Sequence, residues 1–200
     1  MSMTAPLAGF SDMAIQSQSG FRTLMNAMAR PATILRAPEP LRAPAPMNPV
    51  AAMIALTLCD YDTMIWLDHG LMNGEGLTSF LRFHTGAPLA KSQAEADFAF
   101  IANPRKMGDI AAFPLGTDAY PDRSATLVLQ VEALTNATGV VLSGPGIKDK
   151  TRFGAAPLPE NFWPMMRANA ARYPRGIDVI FCSMTELAAI PRSTHVGEGA

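Results

Sequence analysis

The sequence predicts an α/β fold, a mixed β-sheet flanked by helices, and two observations carry that expectation. Segments with apolar residues at helical spacing alternate along the chain with short apolar runs bounded by Gly, Pro, Asp and Asn, the pattern of strands interleaved with helices. The 200 residues are also 48% hydrophobic, enough to bury a continuous core within one domain over residues 1–200. There is no internal repeat.

The first helix starts at Ser11 or Asp12, either of which can cap it, and carries Phe21, Leu24, Met25 and Met28 until Pro31 forbids continuation. From Pro38 to Pro49 five prolines fall within twelve residues, so 38–49 reads as an extended, proline-rich surface strap. It can span roughly 30 Å at ~3.1 Å per residue, crossing the molecule or reaching a neighbouring subunit. Asn48-Pro49 is a strong helix start, and a helix follows from Val50 to about Cys59.

Met64 to Leu67 reads as a short buried strand ending at Asp68-His69-Gly70. Leu81 to Thr85 alternates apolar with polar, so a second strand is expected there, beside the first in the sheet and ended by Gly86-Ala87-Pro88. Ala96 to Ile101 is a further strand, and Lys106 to Phe113 a helical turn or two before Pro114. Ser124 to Val131 is the clearest strand, expected to form a hairpin with Val140 to Ser143 across a turn at Thr135 to Gly139. Asn161 to Tyr173 has helical periodicity through Phe162, Met165 and Met166, and after Gly176 an inward strand runs from Ile177 to Phe181.

Sixteen basic against seventeen acidic residues give a formal net charge of −1. That balance offers no electrostatic footprint for nucleic acid and no polybasic patch for a membrane surface. Asp12, Gln16, Gln18, Gly20, Arg22 and Asn26 interrupt the first thirty residues, which excludes a secretory h-region there. With no run of ~20 apolar residues, a soluble cytoplasmic protein is expected. Cys59 and Cys182 each lie in an apolar segment and read as buried reduced thiols. The thirteen methionines are spread along the chain, suited to pliable core and interface filling.

Few residues suggest chemistry. Ser143-Gly144-Pro145-Gly146-Ile147-Lys148 follows a strand, and Gly144 and Gly146 suggest a phosphate-cradling loop. It lacks a P-loop ending and dinucleotide spacing, however, and Pro145 removes a donor, so a plain turn is the competing reading. His69, His84 and His195 have no metal-ligand spacing, and no metal site is expected. On the expected strand, Arg82 and His84 share a face that could meet a phosphonate or phosphate, or simply be solvated. No Gly-x-Ser-x-Gly elbow is present to position a nucleophile, and no catalytic residue is assigned. Asp122-Arg123-Ser124 reads as a solvated turn. The densest polar cluster is Arg192-Ser193-Thr194-His195 after Ile190-Pro191, either an anion or partner contact or a fraying terminus.

Taken in order, Met28-Ala29-Arg30-Pro31, Leu56-Thr57-Leu58, Asp62-Thr63 with Trp66-Leu67, Leu81-Arg82-Phe83-His84-Thr85 with Ala87-Pro88-Leu89, Ala125-Thr126-Leu127 with Leu129-Gln130-Val131, Gly144 with Gly146-Ile147, Gly176-Ile177-Asp178 and Ile190-Pro191-Arg192 with Thr194-His195 closely resemble the PhnH family, the H subunits of the bacterial carbon–phosphorus lyase system. The resemblance runs from about Phe10 to Val196. It departs from the family at Ser193, where threonine is common, and in the proline content of the strap.

The resemblance implies a fold like the large domain of pyridoxal-phosphate-dependent transferases, without the cofactor, and a homodimer when isolated. It implies a subunit working with the G, I and J subunits in α-D-ribose 1-methylphosphonate 5-triphosphate synthase, a transferase in which methylphosphonate displaces the adenine of ATP. The chain is expected to be inactive alone, and the family offers no established catalytic residue to carry over. The alternatives are an assembly scaffold that binds no ligand and a stand-alone small-molecule transferase. Lys91, Lys106, Lys148 and Lys150 all lie in polar or turn-like stretches, unlike the desolvated pocket a Schiff-base lysine needs, so no bound cofactor is expected.

Overall fold

The computed structural model describes residues 7–38 and 41–197. In chain order its elements are α1 (Met13–Ala29), β1 (Leu35–Arg36), α2 (Pro49–Leu58), β2 (Ile65–Leu67), α3 (His69–Met72), α4 (Leu77–Thr85), β3 (Phe98–Ile101), β4 (Thr126–Gln130), β5 (Ala133–Ser143), β6 (Thr151–Ala156), α5 (Phe162–Ala170), β7 (Asp178–Cys182), β8 (Glu186–Ile190) and β9 (His195–Val196). Short 3-10 turns lie at Gln93–Glu95, Pro104–Lys106 and Ile110–Ala112. No helix among the described residues is long and apolar enough to cross a membrane.

A six-stranded mixed sheet, in the order β1-β8-β7-β4-β3-β2, forms the centre. β7, β4, β3 and β2 run parallel, and β8 is antiparallel to both of its neighbours. Alternation along the strands divides the core into two faces, as the period of 2 requires. Phe100, Val128, Ile180, Cys182, Leu187 and Ala189 pack beneath α1, α2 and α4. Ala99, Ile101, Leu127, Leu129, Val179, Phe181, Ala188 and Ile190 pack on the other face. That second face is covered by α5 and by a three-stranded antiparallel sheet in the order β6-β5-β9. Helices thus flank a mixed sheet, as the interleaved pattern predicts.

The helix starts follow side-chain chemistry. Asp12 accepts from Ile15 N at 3.0 Å and starts α1, while Asn48 accepts from Ala51 N at 2.7 Å with Pro49 in the first turn. Cys59 and Cys182 are buried free thiols.

Three expectations need correction. Leu81 to Thr85 is the second half of α4, with Leu77, Phe80 and Leu81 buried on one side and Phe83 70% exposed. Five alternating residues fit a strand or a helix equally, and here the burial pattern three and four residues apart decides. Consequently the partner of β2 is β3, in parallel. β4 makes no hairpin with Val140 to Ser143 either: its neighbours are β3 and β7. The supposed turn at Thr135 to Gly139 is a register shift inside the eleven-residue β5, which pairs with β6. Finally, the proline-rich strap does not only lie on the surface, because Leu41 and Met47 insert into the core beneath the sheet. Residues 39 and 40 of the strap lie outside the described residues.

The strap and α2 together carry the chain from β1 to β2, the two outermost strands of the sheet. The strap passes over the carboxyl ends of β4 and β7. Gln130, the last residue of β4, accepts from Asn48 N and donates to Pro46 O at 3.0 Å, and Asn48 Nδ2 donates to the carbonyl of Cys182, the last residue of β7, at 3.2 Å.

Candidate functional site

The residues singled out near the carboxyl terminus come together against the β5–β6 loop. After β8, Pro191 turns the chain, and Thr194 N donates to Pro191 O at 2.9 Å to close the turn. His195 and Val196 then pair with Ser143 and Leu142 of β5. Gly144 follows at φ +123°, where a Cβ would sit 3.0 Å from Ser193 O and 3.5 Å from the His195 ring. Gly146, at φ +81°, lies directly against Ala29 O and Pro31, at the end of α1. Both positions suit only a residue without a side chain, and together they wedge the loop between α1 and the 193–195 segment. The loop makes a turn through Ile147 N to Gly144 O at 3.1 Å.

Within this cluster the four polar residues differ in what they present. Arg192 points inward: its backbone N and Nε donate to Asp178 Oδ1 at 2.8 and 3.2 Å, and its other guanidinium nitrogens reach Asp178 Oδ2 and Pro121 O. Its side chain is only 16% exposed. Thr194 is buried, and its hydroxyl has no hydrogen-bond partner among the described residues. Ser193 is half-buried and His195 exposed, so these two form the accessible polar part of the cluster.

Arg82 and His84 do not join it. Both lie on α4, where residues two apart face different sides of the helix. Arg82 is exposed beside a groove lined by Met72, Thr78, Ser79 and Pro88. His84 instead holds the amino-terminal segment: its Nε2 lies 2.9 Å from Leu7 O, its ring packs edge-on against Phe80 and Phe83, and Gly9 closes over it. The shared cationic face expected of a strand is therefore absent.

A second site was not singled out by residue type. The chain leaves β2 through α3 towards the helical face and leaves β3 through the turns carrying Met107, Ile110 and Phe113 towards the opposite face. Adjacent parallel strands whose connections part in this way leave a crevice at their carboxyl ends. Here it is a cleft of about 610 Å³, lined by Trp66, Asp68, His69, Gly70, Ser92, Gln93, Asn103, Lys106 and Met107. Asp68 forms its base, accepting from Leu71 N at 2.9 Å, Ala102 N at 2.9 Å and Asn103 N at 3.0 Å. One carboxylate thereby ties the ends of both strands together. The available signal was the succession of two strand ends, each followed by an Asx residue and then Gly or Pro: Asp68-His69-Gly70 and Asn103-Pro104.

Both thiols are remote from such chemistry. Burial, with the Asp60 and Asp97 carboxylates adding to it, pushes the Cys59 thiol well above its ordinary value. Burial pushes Cys182 up to about 12 against a smaller opposing effect of the Asn48 hydrogen bond. Among the described residues no group of three His, Cys, Asp or Glu side chains is placed to hold a metal ion.

Residues 8–197 match the family model described as bacterial phosphonate metabolism protein (PhnH). The chain is 38% identical over 187 residues, 94% of its own length and 93% of the relative's, to a protein of Rhizobium meliloti (strain 1021) named alpha-D-ribose 1-methylphosphonate 5-triphosphate synthase subunit PhnH. A shorter match, 30% identical over 82 residues and covering 41% of this chain and 42% of the relative, is to a protein of Stutzerimonas stutzeri provisionally named C-P lyase subunit protein HtxG. The chain belongs to the PhnH family of bacterial phosphonate metabolism proteins.

Proposed function

We propose that this chain is a subunit of the bacterial carbon–phosphorus lyase system, required for the ATP-dependent formation of ribose 1-methylphosphonate 5-triphosphate with release of adenine. The observation that carries this reading is the 38% identity over nearly the full length of both chains to a relative named as a subunit of that synthase. The chain acts in the cytoplasm as one domain over residues 1–200, forms a homodimer when isolated, and turns over only together with the G, I and J subunits.

The fold is that of the large domain of pyridoxal-phosphate-dependent transferases, a reading supported by the mixed sheet between two covering layers. It works without the cofactor, because Lys91, Lys106, Lys148 and Lys150 are all exposed and none has the desolvated surroundings that activate a Schiff-base lysine. Gly144, Gly146, Ser193 and His195 form one partner or substrate contact in this reading, with Arg192 and the buried Thr194 behind it as its base, and Arg82 a separate one. His84 serves by fixing the amino-terminal segment.

The test is affinity purification from a strain carrying the companion genes. Tagged G subunit should bring down this chain with I and J, and deletion of this chain should abolish growth on methylphosphonate as sole phosphorus source. Growth at the normal rate without it would refute the proposal. Turnover by the isolated chain would establish the stand-alone transferase instead.

A further inference from the structure

The cleft at the carboxyl ends of β2 and β3 combines features that one chemical class of ligand would satisfy. Its volume, about 610 Å³, falls in the range of sites for drug-sized molecules and far exceeds what inorganic phosphate or methylphosphonate fills. Lys106 supplies a cation: the residue is exposed, and its side chain has no hydrogen bond or ion pair among the described residues. His69, Ser92, Gln93 and Asn103 add imidazole, hydroxyl and amide groups to the same lining. Asp68 is the lining's carboxylate, and three main-chain N–H groups already engage its oxygens, so it does not confront an incoming anion as a bare charge.

The remaining wall is aromatic. Trp66 is half-buried, held edge-on by Phe113 at 5.5 Å between ring centroids, and offers a rigid apolar surface beside those polar groups. An indole next to an ammonium suits a molecule with a planar part and an oxyanion. The strap covers the carboxyl ends of β4 and β7 through Asn48 and Gln130, while this cleft lies at the carboxyl ends of β2 and β3, the edge of the sheet on which open α/β folds take their ligands.

We infer that this cleft binds a nucleoside phosphate, with the base against Trp66 and the phosphate towards Lys106, Asn103 and His69. The choice of a nucleotide over other planar oxyanions rests on the proposed role in an ATP-consuming synthase.

The experiment uses the full chain carrying Trp163→Phe, which leaves Trp66 as the sole tryptophan, and titrates it with AMP, ATP, methylphosphonate and inorganic phosphate while recording Trp66 emission. A saturable change with AMP or ATP, absent with the other two at equal concentration, is expected. Lys106→Gln should weaken that binding about tenfold or more, equivalent to ~1.4 kcal/mol, with an unchanged melting temperature, whereas Lys150→Gln on the other layer should leave it unaltered. No saturable change with either nucleotide, or equal affinity for Lys106→Gln, would overturn the inference; equal response to inorganic phosphate would overturn the assignment of a base-recognising site. Growth on methylphosphonate separates the two readings. A flat titration with a chain still needed for growth sinks the cleft alone, whereas a dispensable chain sinks the proposed function.

Discussion

The Arg192 guanidinium is locked onto the Asp178 carboxylate, joining the segment that follows β8 to the first residue of β7. Both side chains are largely buried, 16% and 13% exposed, and Arg192 also reaches Pro121 O and donates its backbone N to Asp178. From the sequence alone, Arg192→Ala is expected to spare the isolated fold. The ion pair predicts otherwise: removing one partner leaves a buried charge and costs about 3 kcal/mol. Denaturant unfolding of Arg192→Ala, Asp178→Ala and the double variant checks this. A double variant no worse than either single one is expected, because the second substitution removes the orphaned charge.

Asn48→Ala should destabilise by about 2 kcal/mol, combining a lost helix cap with a lost buried hydrogen bond. Its side chain both accepts from Ala51 N and donates to Cys182 O, so the substitution also loosens the strap from the sheet. Limited proteolysis within 41–47 should accelerate, while a surface variant such as Glu160→Gln leaves the rate unchanged.

Gly146→Ala should destabilise more than ~1 kcal/mol, since the backbone is left-handed there and a methyl group would meet Ala29 O. Gly144→Ala should act likewise by pressing on Ser193 O. Thermal unfolding reads both. Equal stability of Gly146→Ala and the parent would show that the loop moves freely away from α1.

The thiols set an alkaline limit. In the unfolded chain Cys182 loses its proton near the ordinary value of 9.0, whereas burial raises it to about 12 in the folded protein. Between these values the folded state holds more protons than the unfolded one, so stability falls as pH rises. Below about pH 9 this contribution is fully present. Cys59, also raised, acts in the same direction. Melting temperatures measured upward from pH 8 should decline, and less steeply in Cys182→Ala. Neither thiol should react with a thiol reagent until the protein unfolds.

What was legible in the sequence follows the range over which each determinant acts. The caps at Asp12 and Asn48 are local, since an acceptor side chain serves a donor three residues ahead, and both helices begin as expected. The strands β2, β3, β4 and β7 are apolar runs buried on both faces, and they too appear where the pattern puts them. Leu81 to Thr85 misled because five residues of alternation match two periods. The long β5 misled because Gly139 and the polar residues before it resemble a turn but form an irregularity within a strand.

At the sites, the clustering of Gly144 with Ser193 and His195 depends on the pairing of β5 with β9, which no local pattern signals. Arg192 is read as a surface cation only if Asp178, fourteen residues upstream, is overlooked. The cleft was hidden for a topological reason: Lys106 and His69 are far apart in sequence, and the opposite departures of the chain from β2 and β3 bring them to one crevice.

The most direct test of the central claim is reconstitution. G, I and J subunits are supplied with ATP and methylphosphonate, with and without this chain, while phosphorus NMR follows the methylphosphonate and chromatography follows the adenine. The account predicts that ribose 1-methylphosphonate 5-triphosphate forms and adenine is released only when this chain is present. Undiminished formation of both products in its absence would contradict it.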